Sequence, residues 1–143
     1  MPRNQIKAYI SHSIRGKFGN KATDKQMKDN NQKAIDFGKF IRTAFPAIHW
    51  YIPGDHDEFV SCAFKYKYIN IKQILDVDCK IIDTCNFMLV FSPDDYISGG
   101  MAVEIDYCTK SHKQVLSAVD GDYNQYIQAL VEATNCYLVT LMR

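Results

Sequence analysis

The residue with the clearest chemical potential is Glu104, which lies just after a glycine turn near the middle of the chain. The apolar run Phe87–Phe91 predicts a buried central strand, and the polar residues after it predict a loop. Ser98-Gly99-Gly100 then predicts a tight turn at which backbone approaches a ligand, followed by a helix whose first amides face that ligand. Because open α/β sheets bind ligands at this end of their strands, we expect Glu104 to lie over a binding site.

A second polar segment, residues 11–16, directly follows the first predicted strand. Its hydroxyls, its backbone amides and the guanidinium of Arg15 could hold phosphate oxygens through charge-assisted hydrogen bonds. The alternative is that the segment is only a polar turn after a strand. The residues themselves leave both interpretations open.

Two further candidates lie in different surroundings. Asp55 and His56 belong to a turn-rich loop after the second predicted strand, where they could contact a polar ligand or simply form the turn. Acidic residues so close in sequence rarely converge on a metal without distant partners, so no metal site is predicted. Asp78 lies within an apolar helical segment, so its carboxylate is either on the solvent face or held for a purpose.

The elements that must position these residues alternate along the chain. Strands are predicted at residues 6–10, 48–52, 87–91, 114–119 and 136–141. Helices are predicted at residues 24–44, at about 60–84 with Asn70 as a candidate break, at 101 to about 113, and at 123–133. This order predicts an α/β fold: one domain over residues 1–143, a three-layer sandwich whose five-stranded, mostly parallel sheet carries helices on both faces.

Composition limits the function classes. The chain has 143 residues, of which 47% are hydrophobic and 23% charged, as in one globular domain. Its net charge of +1 gives no argument for a nucleic-acid polymer or a membrane as a partner, and no apolar run reaches the roughly 18 residues that span a bilayer. No N-terminal apolar segment predicts a signal peptide. The five cysteines are widely spaced, which favours buried free thiols and a cytoplasmic protein.

Three motifs, taken in order, carry a resemblance to a known family. They are Ser13-Ile14-Arg15-Gly16 after a strand, Asp78 on a helix followed by Asn86 at the start of the central strand, and Ser98-Gly99-Gly100-Met101 leading to Glu104. This ordered set is similar to the nucleoside 2-deoxyribosyltransferase superfamily, and most of all to its deoxynucleoside 5′-monophosphate N-glycosidase branch. The loop before Glu104 is longer here than in that branch.

The resemblance implies a Rossmann-like or flavodoxin-like fold and chemistry at a base–sugar bond. Glu104 would be the nucleophile and Tyr9 would orient it. Asp78 would hold or deliver the proton of the departing base, or would orient Glu104 and the sugar hydroxyl. No cofactor and no metal are implied. The partner would be a small-molecule nucleotide or nucleoside, and the chain would form a homodimer for which residues 59–68, rich in aromatics, are a candidate surface.

The resemblance also implies the ligand contacts. The phosphate would be bound by Ser13, Ile14, Arg15, Gly16 and Ser98. The sugar would lie against Gly99, Gly100 and Met101, and the base would be read by Asp55 and His56.

Three function classes stay open at this point. The first is hydrolysis of a (deoxy)nucleoside 5′-monophosphate, which the Ser-Ile-Arg-Gly segment favours. The second is exchange of bases between deoxynucleosides, which needs no phosphate site. The third is a non-catalytic module that binds or senses nucleotides.

Overall fold

The fold alternates strands with helices, as the sequence predicts. A computed structural model of the chain describes residues 5–119. Its strands are β1 (Lys7–Ser11), β2 (His49–Tyr51), β3 (Phe87–Ser92) and β4 (Gln114–Val119). Its α-helices are α1 (Asp24–Ala44), α2 (Asp57–Lys65), α3 (Ile71–Asp83) and α4 (Gly99–Lys110), with short 3-10 turns at Gly16–Lys21 and Pro53–His56. Each strand and helix predicted within this range is present, with ends that differ by a few residues.

The sheet is parallel throughout the described residues. Within residues 5–119 it has four strands in the order β2-β1-β3-β4, where the sequence predicts four in this range and five in the whole chain. The helix predicted at 123–133 and the strand predicted at 136–141 lie outside the described residues. In register, Tyr9 pairs with Tyr51 on β2 and with Met88 on β3. Because the strands are parallel, the loops after β1, β2 and β3 meet at one edge of the sheet.

Alternate side chains of the central strands enter two different hydrophobic clusters, as the period of a strand requires. Ile10 packs in a cluster with Phe37 of α1. Tyr9 packs in the other cluster, together with Ile82 of α3 and Met101 of α4. β3 is buried at every position, which suits its apolar sequence. The second cluster therefore brings β1, α3 and α4 together below the edge where the loops meet.

The apolar segment at about 60–84 divides into two helices at Asn70, the candidate break. The Asn70 side chain accepts a hydrogen bond from the Gln73 backbone N–H at 2.8 Å, and the Gln73 side chain accepts one from the Asn70 backbone N–H at 2.9 Å. This reciprocal capping box starts α3. Lys67, in the connection, has a φ of 63°, a left-handed conformation through which a right-handed helix does not continue.

The described cysteines are free thiols in different surroundings. Cys85 and Cys108 are buried, Cys79 is half-buried, and Cys62 on α2 is exposed, contrary to the expectation of burial. No helix within residues 5–119 combines the length and the apolar character needed to cross a membrane.

Candidate active site

Glu104 lies in the second turn of α4 with its side chain buried. The helix begins at Gly99, where the Ser98 hydroxyl accepts a hydrogen bond from the Met101 N–H at 3.3 Å and so acts as its N-cap. Met101 and Glu104 are three residues apart, which places them on one face of the helix. That face turns into the protein, and Glu104 is only 5% exposed. A carboxyl group is rarely so buried without partners.

Both carboxyl oxygens of Glu104 accept hydrogen bonds from β1. The Tyr9 hydroxyl donates to Oε2, and the Ser11 hydroxyl donates to Oε1 at 2.9 Å. Tyr9 and Ser11 are two residues apart, so they lie on the same side of the strand. The resemblance implies this role for Tyr9, whereas Ser11 is recognisable in the sequence only as part of the polar segment after the strand. The period of two along β1 is the signal that links Ser11 to the same face.

Asp78 is the second carboxyl group at this point. It is half-buried on α3, whereas Asp76 and Asp83 of the same helix are exposed. Asp78 is close enough to Glu104 and to Tyr9 to shift the pKa of each, while the hydrogen bonds that Glu104 accepts within residues 5–119 are those from Tyr9 and Ser11. Burial raises the pKa of Glu104, the hydrogen bond from Tyr9 opposes that rise, and the charge of Asp78 adds to it. Burial likewise raises the pKa of Asp78. Because the pKa is raised to about 8 for Glu104 and to about 6 for Asp78, the pair holds one proton near neutral pH.

Tyr9 stays protonated over the whole range in which these carboxyl groups titrate. Its pKa is raised, mainly by burial of the phenol and then by the charges of Glu104 and Asp78. The phenol is therefore a permanent hydrogen-bond donor to Glu104 and not a proton carrier. Such a fixed donor stabilises negative charge on the Glu104 carboxylate.

The segment after β1 forms a compact turn in which the Arg15 side chain is exposed. The Ser13 hydroxyl accepts a hydrogen bond from the Gly16 N–H at 2.8 Å, and the Asn30 side chain donates to the Ile14 carbonyl at 2.9 Å. Arg15 is exposed, and its Nη1 donates to the Asn20 side chain at 2.6 Å. The turn therefore has the shape of an anion cradle, but its guanidinium is engaged elsewhere.

Gly16 is necessary to this turn. Its φ is 62°, and a Cβ there would lie 2.8 Å from Asn30 Nδ2 and 3.4 Å from Asp94 Oδ2. The turn borders a small cleft of about 10 Å³, room for a single water molecule, whose lining includes Ser13, Ser92 and Asp94. A carboxylate so close to the cradle disfavours a phosphate there, unless Arg15 turns toward it.

The loop after β2 joins the site through aromatic rings. The His56 ring stacks on Tyr51 with centroids 5.4 Å apart, and Tyr51 stacks on Tyr9 with centroids 5.5 Å apart. Asp55 lies farther away, because its carboxylate forms an ion pair of 2.7 Å with Arg42 of α1. Of the two residues expected to read a base, His56 therefore adjoins the Tyr9 region and Asp55 is held by the scaffold.

His12 was missed by sequence reasoning, although it connects two of the loops. Its Nε2 accepts a hydrogen bond from the Gly54 N–H at 3.0 Å, and the Asn31 side chain donates to the Gly54 carbonyl at 3.2 Å. Burial lowers the pKa of His12 to about 4, so the ring is neutral and its proton lies on Nδ1. Only its position directly after a strand could have drawn attention to His12.

The arrangement as a whole is suited to acid–base and nucleophilic chemistry by carboxyl groups. Two carboxyl groups and two hydroxyls converge on one point beside the carboxyl end of β1, next to the open start of α4. A Cβ at Gly99 would meet no atom within 4 Å, so a ligand can approach the first amides of the helix. Within residues 5–119 no group of three or more His, Cys, Asp or Glu side chains is arranged to hold a metal ion.

Comparison with known proteins adds no relative to this description: no protein-family model, no curated protein and no solved structure matches the chain.

Proposed function

We propose that the protein is an N-glycosidase that hydrolyses the base–sugar bond of a (deoxy)nucleoside 5′-monophosphate, with Glu104 as the nucleophile. The observation that carries the proposal is the burial of Glu104 between the hydroxyls of Tyr9 and Ser11, beside a second carboxyl group, Asp78. A solvated surface glutamate would have none of these partners. We propose in addition that the chain belongs to the nucleoside 2-deoxyribosyltransferase superfamily, which it resembles in sequence, and that it has the three-layer, five-stranded fold of that superfamily.

The first half of the reaction forms a glycosyl ester. The Glu104 carboxylate attacks the anomeric carbon, a carbon–oxygen bond forms, and the carbon–nitrogen bond to the base breaks. The electron pair of that bond leaves with the base nitrogen, which takes a proton from the Asp78 carboxylic acid. Burial raises the pKa of Glu104 to about 8 and that of Asp78 to about 6, so in the free protein Glu104 is the member of the pair that carries the proton. For the attack this proton would pass to Asp78, and the donors Tyr9 and Ser11, which favour the ionised form of Glu104, support that transfer.

The second half releases the sugar phosphate. Water attacks the same anomeric carbon, the ester oxygen returns to Glu104 as a carboxylate, and the proton of the water passes to the Asp78 carboxylate. Both residues then have the protonation state with which the attack began. The mutual effect of Glu104 and Asp78 on each other's pKa supports this exchange of roles.

The rest of the ligand would lie around this point. The first amides of α4, at Gly99, Gly100 and Met101, would lie against the sugar, and the Ser13–Gly16 turn with Ser98 would hold the phosphate. Arg15 would then leave Asn20 and turn toward the phosphate. The protein would act in the cytoplasm as a homodimer, for which the exposed Phe59 and Tyr68 offer apolar surface.

Base exchange between deoxynucleosides is the second candidate, because two observations favour a ligand without phosphate. Arg15 is bonded to Asn20, and the Asp94 carboxylate adjoins the Gly16 turn. A transferase would use the same glycosyl ester but pass the sugar to an acceptor base in place of water.

One experiment tests the proposal. Wild-type protein is incubated with the four common deoxynucleoside 5′-monophosphates and with the matching nucleosides, and free base is followed by chromatography. We expect free base and sugar phosphate from at least one monophosphate, and none with Glu104→Gln. Asp106→Asn, an exposed carboxylate on the same helix, is the matched control and should leave turnover unchanged. Base release that requires an added acceptor base would favour the transferase, and no release in either format would overturn both.

A further inference from the structure

Tyr51 occupies a place in the site that the proposed chemistry does not use. It pairs in register with Tyr9 on the adjacent strand, so the two side chains lie on the same face of the sheet. Its ring is half-buried and packs nearly parallel to Tyr9, at an interplanar angle of 22°, and to His56, at 23°. We call Tyr9, Tyr51 and His56 the ring stack.

The Tyr51 hydroxyl has no hydrogen-bond partner among the described residues, unlike the hydroxyl of Tyr9. Burial, followed by the charge of Asp78, raises the pKa of Tyr51, so the phenol keeps its proton. Tyr51 is thus a neutral donor and acceptor, and the charge that raises its pKa most belongs to Asp78, one of the two proposed reacting carboxyl groups. A half-buried hydroxyl without a partner is available to a ligand.

The outer end of the ring stack is fixed by backbone contacts. His56 ends the 3-10 turn Pro53–His56, and both backbone polar groups of Gly54 in that turn are held, the N–H by His12 and the carbonyl by Asn31. A Cβ at Gly54 would lie 2.6 Å from Asn31 Oδ1 and 3.2 Å from two ring atoms of His12, so the turn is closely packed against both side chains. Tyr51 is therefore held between two positioned rings before any ligand arrives, which lowers the entropic cost of binding.

The order of the strands indicates which part of a ligand Tyr51 would contact. Glu104 reaches from α4 to β1, and β2 lies on the other side of β1. A sugar over Glu104 with its phosphate at the turn after β1 or at the start of α4 leaves β2 as the open direction for the base. We propose that the Tyr51 hydroxyl forms a hydrogen bond with the leaving base, and that it thereby contributes to the choice of base. This inference rests on the proposed function.

The test uses Glu104→Gln protein, so that binding is measured without turnover. Calorimetry gives the dissociation constants of the four deoxynucleoside 5′-monophosphates and of deoxyribose 5-phosphate for this protein and for its Tyr51→Phe derivative. We expect Tyr51→Phe to weaken the best monophosphate about fivefold to tenfold and to leave deoxyribose 5-phosphate unchanged. Tyr107→Phe, which removes an exposed phenol bonded to Asp83, is the control and should change neither.

Melting temperatures distinguish an effect on binding from an effect on folding. Base release by the wild type distinguishes failure of the inference from failure of the proposed function. Because the Tyr51 hydroxyl has no partner within residues 5–119, its removal should not lower the melting temperature. A monophosphate dissociation constant within twofold of the parent would overturn the inference, as would equal weakening of deoxyribose 5-phosphate, or the absence of any monophosphate binding to Glu104→Gln protein. Selective weakening by Tyr51→Phe together with no base release by wild type would support the inference and overturn the hydrolase.

Discussion

The Tyr9 hydroxyl donates a hydrogen bond to the Glu104 carboxylate across 95 residues of sequence, and both groups are buried. This contact joins the first strand to the helix after the third strand, and it sets the ionisation of the residue on which the chemistry depends. Asp78 approaches the same two groups from α3. Three separate elements thus supply the reacting groups, while the hydrophobic cluster beneath them fixes their distances.

Tyr9→Phe should reduce turnover while the protein stays folded. The substitution keeps the ring in its cluster but removes the donor to Glu104 Oε2, so negative charge on the carboxylate is less stabilised. A hydrogen bond to a charged group contributes about 1.5–3 kcal/mol, so we expect kcat to fall roughly 10-fold to 100-fold. The measurement is base release under saturating substrate, with Tyr107→Phe as the matched phenol control. Wild-type kcat for Tyr9→Phe would remove Tyr9 from the proposed machinery.

The contribution of Glu104 to the stability of the protein should fall as the pH rises from about 5 to about 8. Burial raises the pKa of Glu104 from 4.5 to about 8, so between these values the folded state binds more protons than the unfolded state. Unfolding free energy then decreases with rising pH, by on the order of 3 kcal/mol from this group. Glu104→Gln should remove this decrease. The profile that remains should contain the smaller fall from Asp78 and an opposing rise up to about pH 6.5 from His12, whose pKa is lowered to about 4. Melting temperatures measured across this range provide the check; parallel profiles for the two proteins would contradict the burial of Glu104.

Gly54→Ala should destabilise the protein through the loop after β2. The added Cβ would lie 2.6 Å from Asn31 Oδ1, so the clamp formed by His12 and Asn31 must open. Overpacking and the loss of two hydrogen bonds predict a cost of about 1–3 kcal/mol. Denaturant unfolding measures it, and Gly99→Ala, where the new Cβ meets nothing within 4 Å, is the control for stability. Equal stability of the two variants would show that the clamp is loose.

Arg15→Ala distinguishes the two candidate activities. If Arg15 leaves Asn20 to bind a 5′-phosphate, its removal should raise KM for monophosphates at least 10-fold and leave nucleosides unaffected. Lys17→Ala, an exposed cation two residues away, is the matched control. Steady-state kinetics with both substrate classes gives the answer. An unchanged KM for monophosphates would remove Arg15 from phosphate binding and favour the transferase.

The sequence was sufficient to predict the features that depend on hydrophobic periodicity and on the residues that begin or end an element. The apolar run of β3 and the Asn70 cap each have a local physical cause, so these elements could be predicted. The tight turn expected at Ser98-Gly99-Gly100 is wrong, because Ser98 is the N-cap of α4 and both glycines belong to its first turn. The partners of long or polar loop side chains could not be predicted. Arg15 bonds Asn20 and Asp55 bonds Arg42 because those residues are near in space, and no local pattern records that proximity.

The residues that prediction missed share the same limitation. From the sequence alone, Tyr51 was recognisable only as a strand residue and His12 only as part of a polar turn. Their roles come from the pairing of β1 with β2 and from the approach of α1 to Gly54, which are relations between segments far apart in sequence.

The most direct test of the central claim is the intact mass of the protein during turnover. Wild-type protein mixed with a deoxynucleoside 5′-monophosphate and quenched in acid within the first turnovers should show a species heavier by one deoxyribose phosphate group, bonded at Glu104 as shown by peptide mapping. Glu104→Gln protein should show no such species and release no base. Base release at the wild-type rate by Glu104→Gln protein would contradict the account.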